Sequence, residues 1–220
     1  MFDYQNISID CYTLFTDSNF NSTEYPFPNE NATHHFQIIN VGNDNSVLTR
    51  LLNREQYLWN VGFHQIISLR DMYSKAYREE VQGSIISDDI NQLFITITQE
   101  EIAKRAKNAN NINFHYAIME AEAWILGFHF SFQHMDTILT SQYIQTKLGF
   151  NLQDIDPETT FFHPARQVDA IYRLIDDTYN KSKGNINAIM SQLQKEDFTD
   201  LANSGKCESF KRFQNTLKLP

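Results

Sequence analysis

Residues 111–136, with the sequence NINFHYAIMEAEAWILGFHFSFQHMD, decide how the fold is interpreted. Their apolar side chains recur at steps of three and four residues, which is the spacing of an amphipathic helix. The same pattern continues to Leu148, and the next residue, Gly149, is of the type that commonly ends a helix. The sequence therefore predicts one long central helix from about Asn111 to Leu148.

The phase of this helix separates its polar side chains into two groups. At about 100° per residue, Glu120 and His134 fall on the polar side. By contrast, His115, Glu122 and His129 are spaced seven residues apart and fall in the middle of the apolar arc. We therefore expect Glu122 to be buried and Glu120 to be exposed. A buried carboxylate without a partner costs several kcal/mol or has a strongly raised pKa, so Glu122 needs a partner.

A second apolar pattern predicts a first long helix over Val47–Val81. Gly62 lies inside it and is a candidate site for a kink or a close helix crossing. The helical phase places Glu55 and Arg70 on the apolar arc. These two residues are the candidate inward-facing partners of Glu122.

The remaining elements complete an all-α prediction. Further helices are expected from Asp88, from Thr98, from Pro164 to about Tyr179, across Ile186–Leu193 and across Phe210–Leu217. The first 46 residues are rich in Asn, Ser, Asp and Pro, which is typical of loops, with a short strand at FQIIN. The predicted fold is a single bundle of about six to seven helices over residues 47–220, preceded by a mostly loop N-terminal segment over residues 1–46.

Charge and composition exclude several classes of function. The formal net charge is −9, and Lys and Arg are scattered, so no basic surface for nucleic acid is expected. No apolar run reaches the roughly 20 residues of a membrane-spanning helix, and no signal-peptide pattern is visible. Cys11 and Cys207 lack the spacing of a metal site and are expected to be unpaired thiols. We expect a cytoplasmic protein that binds neither nucleic acid nor membranes.

The polar groups of the apolar arcs have two interpretations. The first is a metal site between helices, with Glu122, His129 and His115 from the central helix and Glu55 from the first. The second is a structural network in which Arg70 donates to Glu122 and the histidines bind carbonyl or tyrosine oxygens. The sequence leaves both open.

The spacing of Glu122 and His129 on a core helix, Glu-x6-His, carries a family resemblance. A mostly helical domain of this length with such a pair resembles the haem-oxygenase-like family, which includes proteins similar to thiaminase II and the quinone-cofactor synthesis oxidase. The resemblance implies a non-haem iron site in the iron-using members, completed by a His-x-x-x-Asp group and another Glu. After Asn151 this chain has His163 but no His-x-x-x-Asp, so it also fits a member that has lost its metal.

Two functions follow as hypotheses. One is a protein whose core pocket binds a small molecule and oxidises it with iron, with Glu122, His129, His115 and Glu55 as metal ligands and Arg70 holding an anionic group of the substrate. The other is a non-enzymatic protein–protein interaction module whose buried Arg/Glu/His network is structural. A homodimer is one assembly expected in either case, and iron is the only cofactor considered. Whether the protein is an enzyme is left open.

Overall fold

A computed structural model describes residues 6–14, 20–22, 27–81, 83–180 and 184–217 of the chain. Within these residues the chain is mixed α/β, with eleven α-helices and five strands. The prediction of an all-α bundle of six to seven helices is therefore wrong, and so is the haem-oxygenase-like architecture expected with it.

The described residues form five strands in two small sheets. The strands are β1 (Ile7–Leu14), β2 (Phe20–Ser22), β3 (His34–Asn40), β4 (Ile66–Asp71) and β5 (Ile112–Ala117). In the first sheet β1 lies in the middle, antiparallel to β2 and parallel to β3, with Ile9 opposite Phe36. The second sheet pairs β4 with β5. Strand β3 contains the predicted FQIIN strand, which is confirmed, whereas β1 and β2 were not predicted.

Eleven α-helices lie within the described residues. They are α1 (Val47–Asn60), α2 (Lys75–Glu80), α3 (Asp88–Arg105), α4 (Glu122–Gly127), α5 (Phe130–Met135), α6 (Ser141–Leu148), α7 (Pro157–Thr160), α8 (Pro164–Tyr172), α9 (Asn185–Met190), α10 (Lys195–Asn203) and α11 (Glu208–Thr216). None of these helices is both long enough and apolar enough to cross a lipid bilayer.

The chain divides into two compact units, each with its own apolar core. The first unit comprises residues 1–70, 96–114 and 216–220, and the second comprises residues 71–95 and 115–215. In the first unit one buried cluster contains Leu51, Ile102 and Ile112. In the second it is larger and includes residues of α4, α5, α6, α8 and α9.

Residues 111–136 do not form one helix. Ile112–Ala117 is strand β5, and the chain turns at Met119, whose φ of 61° is left-handed, before α4 and α5 begin. Ile, Phe and Tyr favour a pleated surface, so INFHYA suits a strand. A strand followed by short helices still places apolar residues three or four positions apart, which is why the periodicity was misleading. The predicted helix over 111–148 is wrong for this reason.

The predicted helix over residues 47–81 is also wrong beyond Asn60. Helix α1 ends there, and Gly62 adopts a φ of 98°, a conformation that glycine tolerates and that turns the chain. Strand β4 follows, and then Ser74 starts α2 by accepting a hydrogen bond from the Tyr77 N–H.

Other predicted helix starts are confirmed. Helix α3 begins at Asp88, where Ser87 Oγ accepts a hydrogen bond from the Ile90 N–H at 3.4 Å. Helix α8 begins at Pro164, a residue suited to the first turn. Thr98 does not restart a helix as predicted, because α3 runs through it and buries it.

The segments that leave β4 and β5 stay paired and build the platform for the candidate site. The Tyr73 N–H donates to the Met119 carbonyl at 2.7 Å, and the Asp71 side chain accepts from the Ala121 N–H at 2.8 Å. The Met72 N–H donates to the Ala117 carbonyl at 2.9 Å, so the backbone partners of Met72 and Tyr73 rise together, which is the direction of a parallel pair. The residues after both strands therefore meet at one edge of the sheet.

Candidate functional site

Glu122 is buried, as predicted, and lies at the start of α4. Its Oε1 accepts a hydrogen bond of 2.8 Å from the Tyr179 hydroxyl. Burial, followed by the charge of Glu122, raises the pKa of Tyr179, so the hydroxyl keeps its proton and remains a donor. One partner of Glu122 is therefore a tyrosine from the segment after α8, and not one of the partners predicted from the sequence.

Glu120 differs from its prediction. It was expected on the solvent face, but it is half-buried and its Oε2 accepts a hydrogen bond of 2.9 Å from the Ala165 N–H in the first turn of α8. A carboxylate at this position also interacts favourably with the positive, N-terminal end of the helix dipole. Glu120 therefore helps to fix α8 beside the end of β5.

His115 and His129 are half-buried rather than fully buried. His115 lies in β5 with its ring 5.6 Å from that of Phe213, and His129 directly precedes α5. Burial lowers the pKa of both histidines, with Arg212 adding to the effect at His115 and Lys206 at His129. Both rings are therefore mainly neutral at neutral pH.

Because His129 is half-buried and mainly neutral in the folded protein, the folding stability is expected to decrease in acid. Because the folded pKa lies below the ordinary value of 6.5, the unfolded chain binds more protons as the pH falls through about 6.5, and stability is lost there. When the pH is lowered from about 7.5 to about 5.5, we expect the free energy of unfolding to decrease less in His129→Gln than in the wild type. Denaturant unfolding at each pH measures this decrease. His35→Gln, at an exposed position, is the control. Equal losses in wild type and His129→Gln would contradict this origin of the acid sensitivity.

Glu55 and Arg70 belong to the first unit. Glu55 is buried in α1, where Oε2 accepts from Trp59 Nε1 at 2.9 Å and Oε1 accepts from the Lys107 N–H at 2.7 Å. These bonds fix α1 to the turn after α3. Arg70 is half-buried in β4.

The metal ligands predicted from the sequence are Glu122, His129, His115 and Glu55. Across the ranges that the structure describes, no three or more His, Cys, Asp or Glu side chains are grouped so that they could hold a metal ion. The iron site and the substrate role of Arg70 stay predictions from the sequence.

A buried carboxylate that the sequence argument missed is Glu158 in α7. Its Oε1 accepts from Trp124 Nε1 at 2.8 Å and from the Ser209 hydroxyl, and its Oε2 accepts from the Ser209 N–H at 3.1 Å. Burial raises the pKa of Glu158, and these hydrogen bonds offset part of the effect. The sequence Asp156-Pro157-Glu158 has an N-cap residue followed by proline, which is the pattern of a helix start. The prediction from sequence treats this segment as a connection. Glu158 joins α4, α7 and α11.

Cys207 lies beside this carboxylate and is fully buried. Its N–H donates to Asp156 Oδ1 at 3.1 Å, and its thiol lies 3.7 Å from the Ala123 carbonyl oxygen. Burial raises the pKa of the thiol, which suppresses the reactive thiolate. Neither Cys207 nor Cys11 is in a disulfide, as predicted. Cys207 is a packing residue.

Two exposed arginines beside a half-buried tyrosine and histidine form the strongest candidate site. We name Tyr73, Arg78, His163 and Arg166 the Arg–His–Tyr cluster. Tyr73 Oη lies 3.4 Å from His163 Nε2, and the two ring centroids are 4.6 Å apart. The Arg78 guanidinium carbon lies 5.3 Å from the centre of the Tyr73 ring. Burial lowers the pKa of His163, and the charges of Arg166 and Arg78 lower it further, so both arginines act on this ring.

The two arginines of the cluster differ from other arginines of the chain. Within the described residues, neither Arg78 nor Arg166 forms an ion pair, and both are exposed. Ion pairs with an acidic residue one helical turn earlier are made by Arg105, Arg173 and Arg212. Within the described residues, the charges of Arg78 and Arg166 are therefore not neutralised by an ion pair, on a chain of net charge −9.

The fold places the cluster where two strands end. Tyr73 follows β4, Arg78 lies in α2, and His163 and Arg166 start α8. In sheets with parallel strands, ligand sites commonly lie beyond the carboxyl ends of the strands. Because Glu120 already accepts the Ala165 N–H, the side chains rather than the helix amides are the groups left to bind a ligand.

A shallow, open depression of about 400 Å³ extends from the cluster along α8. It is lined by Ala165, Arg166, Asp169, Tyr179 and Asn180. A hydrogen bond of 2.7 Å from Arg173 lowers the pKa of Asp169, so that this carboxylate is ionised at neutral pH. Arg166 belongs to both the cluster and the depression.

Comparisons of the chain with protein-family models, with curated proteins and with solved structures found no match.

Proposed function

We propose that this protein binds an anionic small molecule, through a phosphate or carboxylate group, at the Arg–His–Tyr cluster. The observation that carries the proposal is that Arg78 lies over the Tyr73 ring and Arg166 follows His163 by one helical turn, with its N–H on the His163 carbonyl at 3.1 Å, while neither arginine forms an ion pair with any described residue. The guanidinium group presents a planar set of donors that matches both phosphate and carboxylate oxygens. Two such groups beside one imidazole suit a single anion.

Tyr73, His163 and Arg78 are held against one another before a ligand arrives. Tyr73 contacts His163 and makes an edge-to-face contact of 5.6 Å with Phe162, while Arg78 lies against the Tyr73 ring. A cation next to an aromatic ring gains about 0.5–1 kcal/mol at an exposed site, which restricts the arginine. Restricting side chains in advance lowers the entropy cost of binding. This order favours a binding role over that of two independent solvated arginines.

We expect Arg78→Gln and Arg166→Gln each to weaken anion binding by about tenfold to a hundredfold, because each loses a charged hydrogen bond worth roughly 1.5–3 kcal/mol. Isothermal titration calorimetry with inorganic phosphate, sulfate and acetate at low ionic strength measures the effect and separates the two anion classes. Arg105→Gln is the matched control, since it removes an exposed arginine that pairs with Glu101 at 3.4 Å.

The control decides between a site and a general charge effect. If Arg105→Gln weakens binding as much as the two cluster variants, the anion is attracted only by overall charge and the proposal fails. Absence of binding to the wild type would also end it. The iron-dependent oxidation and the protein interaction inferred from sequence stay separate hypotheses.

A further inference from the structure

The depression beside the cluster continues the anion site along α8. Arg166 and Asp169 are three residues apart on this helix, which separates them by about 4.5 Å along its axis. Residues with this spacing lie on the same face of a helix. A molecule whose anionic group contacts Arg166 therefore extends directly to Asp169.

Asp169 has acceptor capacity that the protein does not use fully. Its Oδ2 accepts from Arg173 Nε at 2.7 Å, and its Oδ1 accepts from the Tyr179 N–H at 3.0 Å. A carboxylate has about four lone-pair positions, so two are left for donors from a ligand. The Asp169 side chain is 30% exposed. The two protein bonds fix the carboxylate at the wall of the depression.

Tyr179 contributes an aromatic ring to the same wall. Its hydroxyl is turned away to the buried Glu122 at 2.8 Å, so the part of the side chain that lines the depression is the ring. The ring also packs against Tyr172, with centroids 5.7 Å apart, which limits its movement. A fixed aromatic ring favours a planar group in the ligand.

From these features we infer that the ligand is a nucleoside monophosphate, with its phosphate at the Arg–His–Tyr cluster and its nucleoside in the depression. The ribose hydroxyls donate to Asp169, as carboxylates do in nucleotide-binding sites. The base lies against Tyr179. A depression of about 400 Å³ falls in the size range of small-molecule sites, roughly 300–1,000 Å³. This inference rests on the proposed anion site.

Calorimetry with adenosine 5′-monophosphate, ribose 5-phosphate, inorganic phosphate and adenosine tests the inference on the full chain. We expect affinity to fall in that order, with adenosine 5′-monophosphate binding at least about tenfold more tightly than phosphate. Asp169→Asn is expected to reduce the affinity for adenosine 5′-monophosphate about tenfold and to leave that for phosphate unchanged. Asp200→Asn, an exposed residue of α10, is the matched control.

A second variant keeps the test informative if Asp169→Asn does not fold. Asn180→Ala removes another polar side chain of the depression and is likewise expected to weaken the nucleotide but not phosphate. The inference is overturned, with the anion site intact, if all phosphate compounds bind equally and the Asp169 and Asn180 variants change nothing. If phosphate, ribose 5-phosphate and the nucleotide all fail to bind, the proposed function fails as well.

Discussion

Replacing Glu158 by alanine is expected to lower the free energy of unfolding by about 3–5 kcal/mol. The carboxylate accepts hydrogen bonds from Trp124 Nε1, from the Ser209 hydroxyl and from the Ser209 N–H. A buried donor left unpaired costs about 1–3 kcal/mol, and the missing side chain also leaves a cavity. Loss of a buried charge whose pKa is raised by burial offsets part of this cost. Denaturant unfolding followed by circular dichroism measures the change.

Two further variants identify the cause. Glu158→Gln keeps the shape of the side chain but replaces one acceptor oxygen with an amino group, which then faces a donor of Ser209 or Trp124. We therefore expect the free energy of unfolding to decrease by about 1–3 kcal/mol. Glu100→Ala, at an exposed position in α3, is expected to change stability by no more than about 0.5 kcal/mol. A loss in Glu158→Ala as small as that in Glu100→Ala would show that the carboxylate is not a structural acceptor.

Gly127→Ala is expected to destabilise the protein by about 1–3 kcal/mol, although the same change in a helix usually stabilises by up to about 1 kcal/mol. Gly127 ends α4, and a Cβ there would lie 2.8 Å from Leu201 Cδ1 and 3.1 Å from Cys207 Sγ. Leu201 and Cys207 are both buried, so neither has open space into which to move. Thermal and denaturant unfolding give the sign and size of the effect.

A double variant tests whether this close contact is the cause. Leu201→Ala alone should cost about 2–5 kcal/mol, but it also removes the atoms nearest to the added methyl group. The loss in the Gly127→Ala/Leu201→Ala protein should therefore be smaller than the sum of the two single losses. Additive losses would place the effect of Gly127→Ala elsewhere.

Local signals in the sequence predicted the parts of the fold that local chemistry determines. A hydroxyl acceptor before Asp88 and a proline at the first turn located the starts of α3 and α8. The burial of Glu122 was also predicted, although the long helix used for that argument does not exist. The apolar spacing was real, but a strand followed by short helices satisfies it as well as one helix does.

The candidate site depended on contacts that no local pattern contains. The prediction from sequence assigns Arg78 to the long helix over 47–81, and it considers His163 only in connection with the missing His-x-x-x-Asp group. Nothing in the sequence pattern indicates that either residue lies next to Tyr73. Glu158 was hidden in a segment interpreted as a connection, although Asp156 and Pro157 mark a helix start there. Tertiary packing, rather than residue type, brings these groups together.

The contact between Tyr73 and His163 joins positions that are 90 residues apart in the chain. A ribosome must therefore synthesise both segments before the Arg–His–Tyr cluster can form, and closing so long a loop is typically a slow step of folding. A ligand that recognises this site binds the folded protein and not the unfolded chain. At a concentration one hundred times its dissociation constant, such a ligand adds about 2.7 kcal/mol to folding stability. Because proteases cleave the opened chain, the cellular concentration of that anion would then affect how long the protein survives proteolysis.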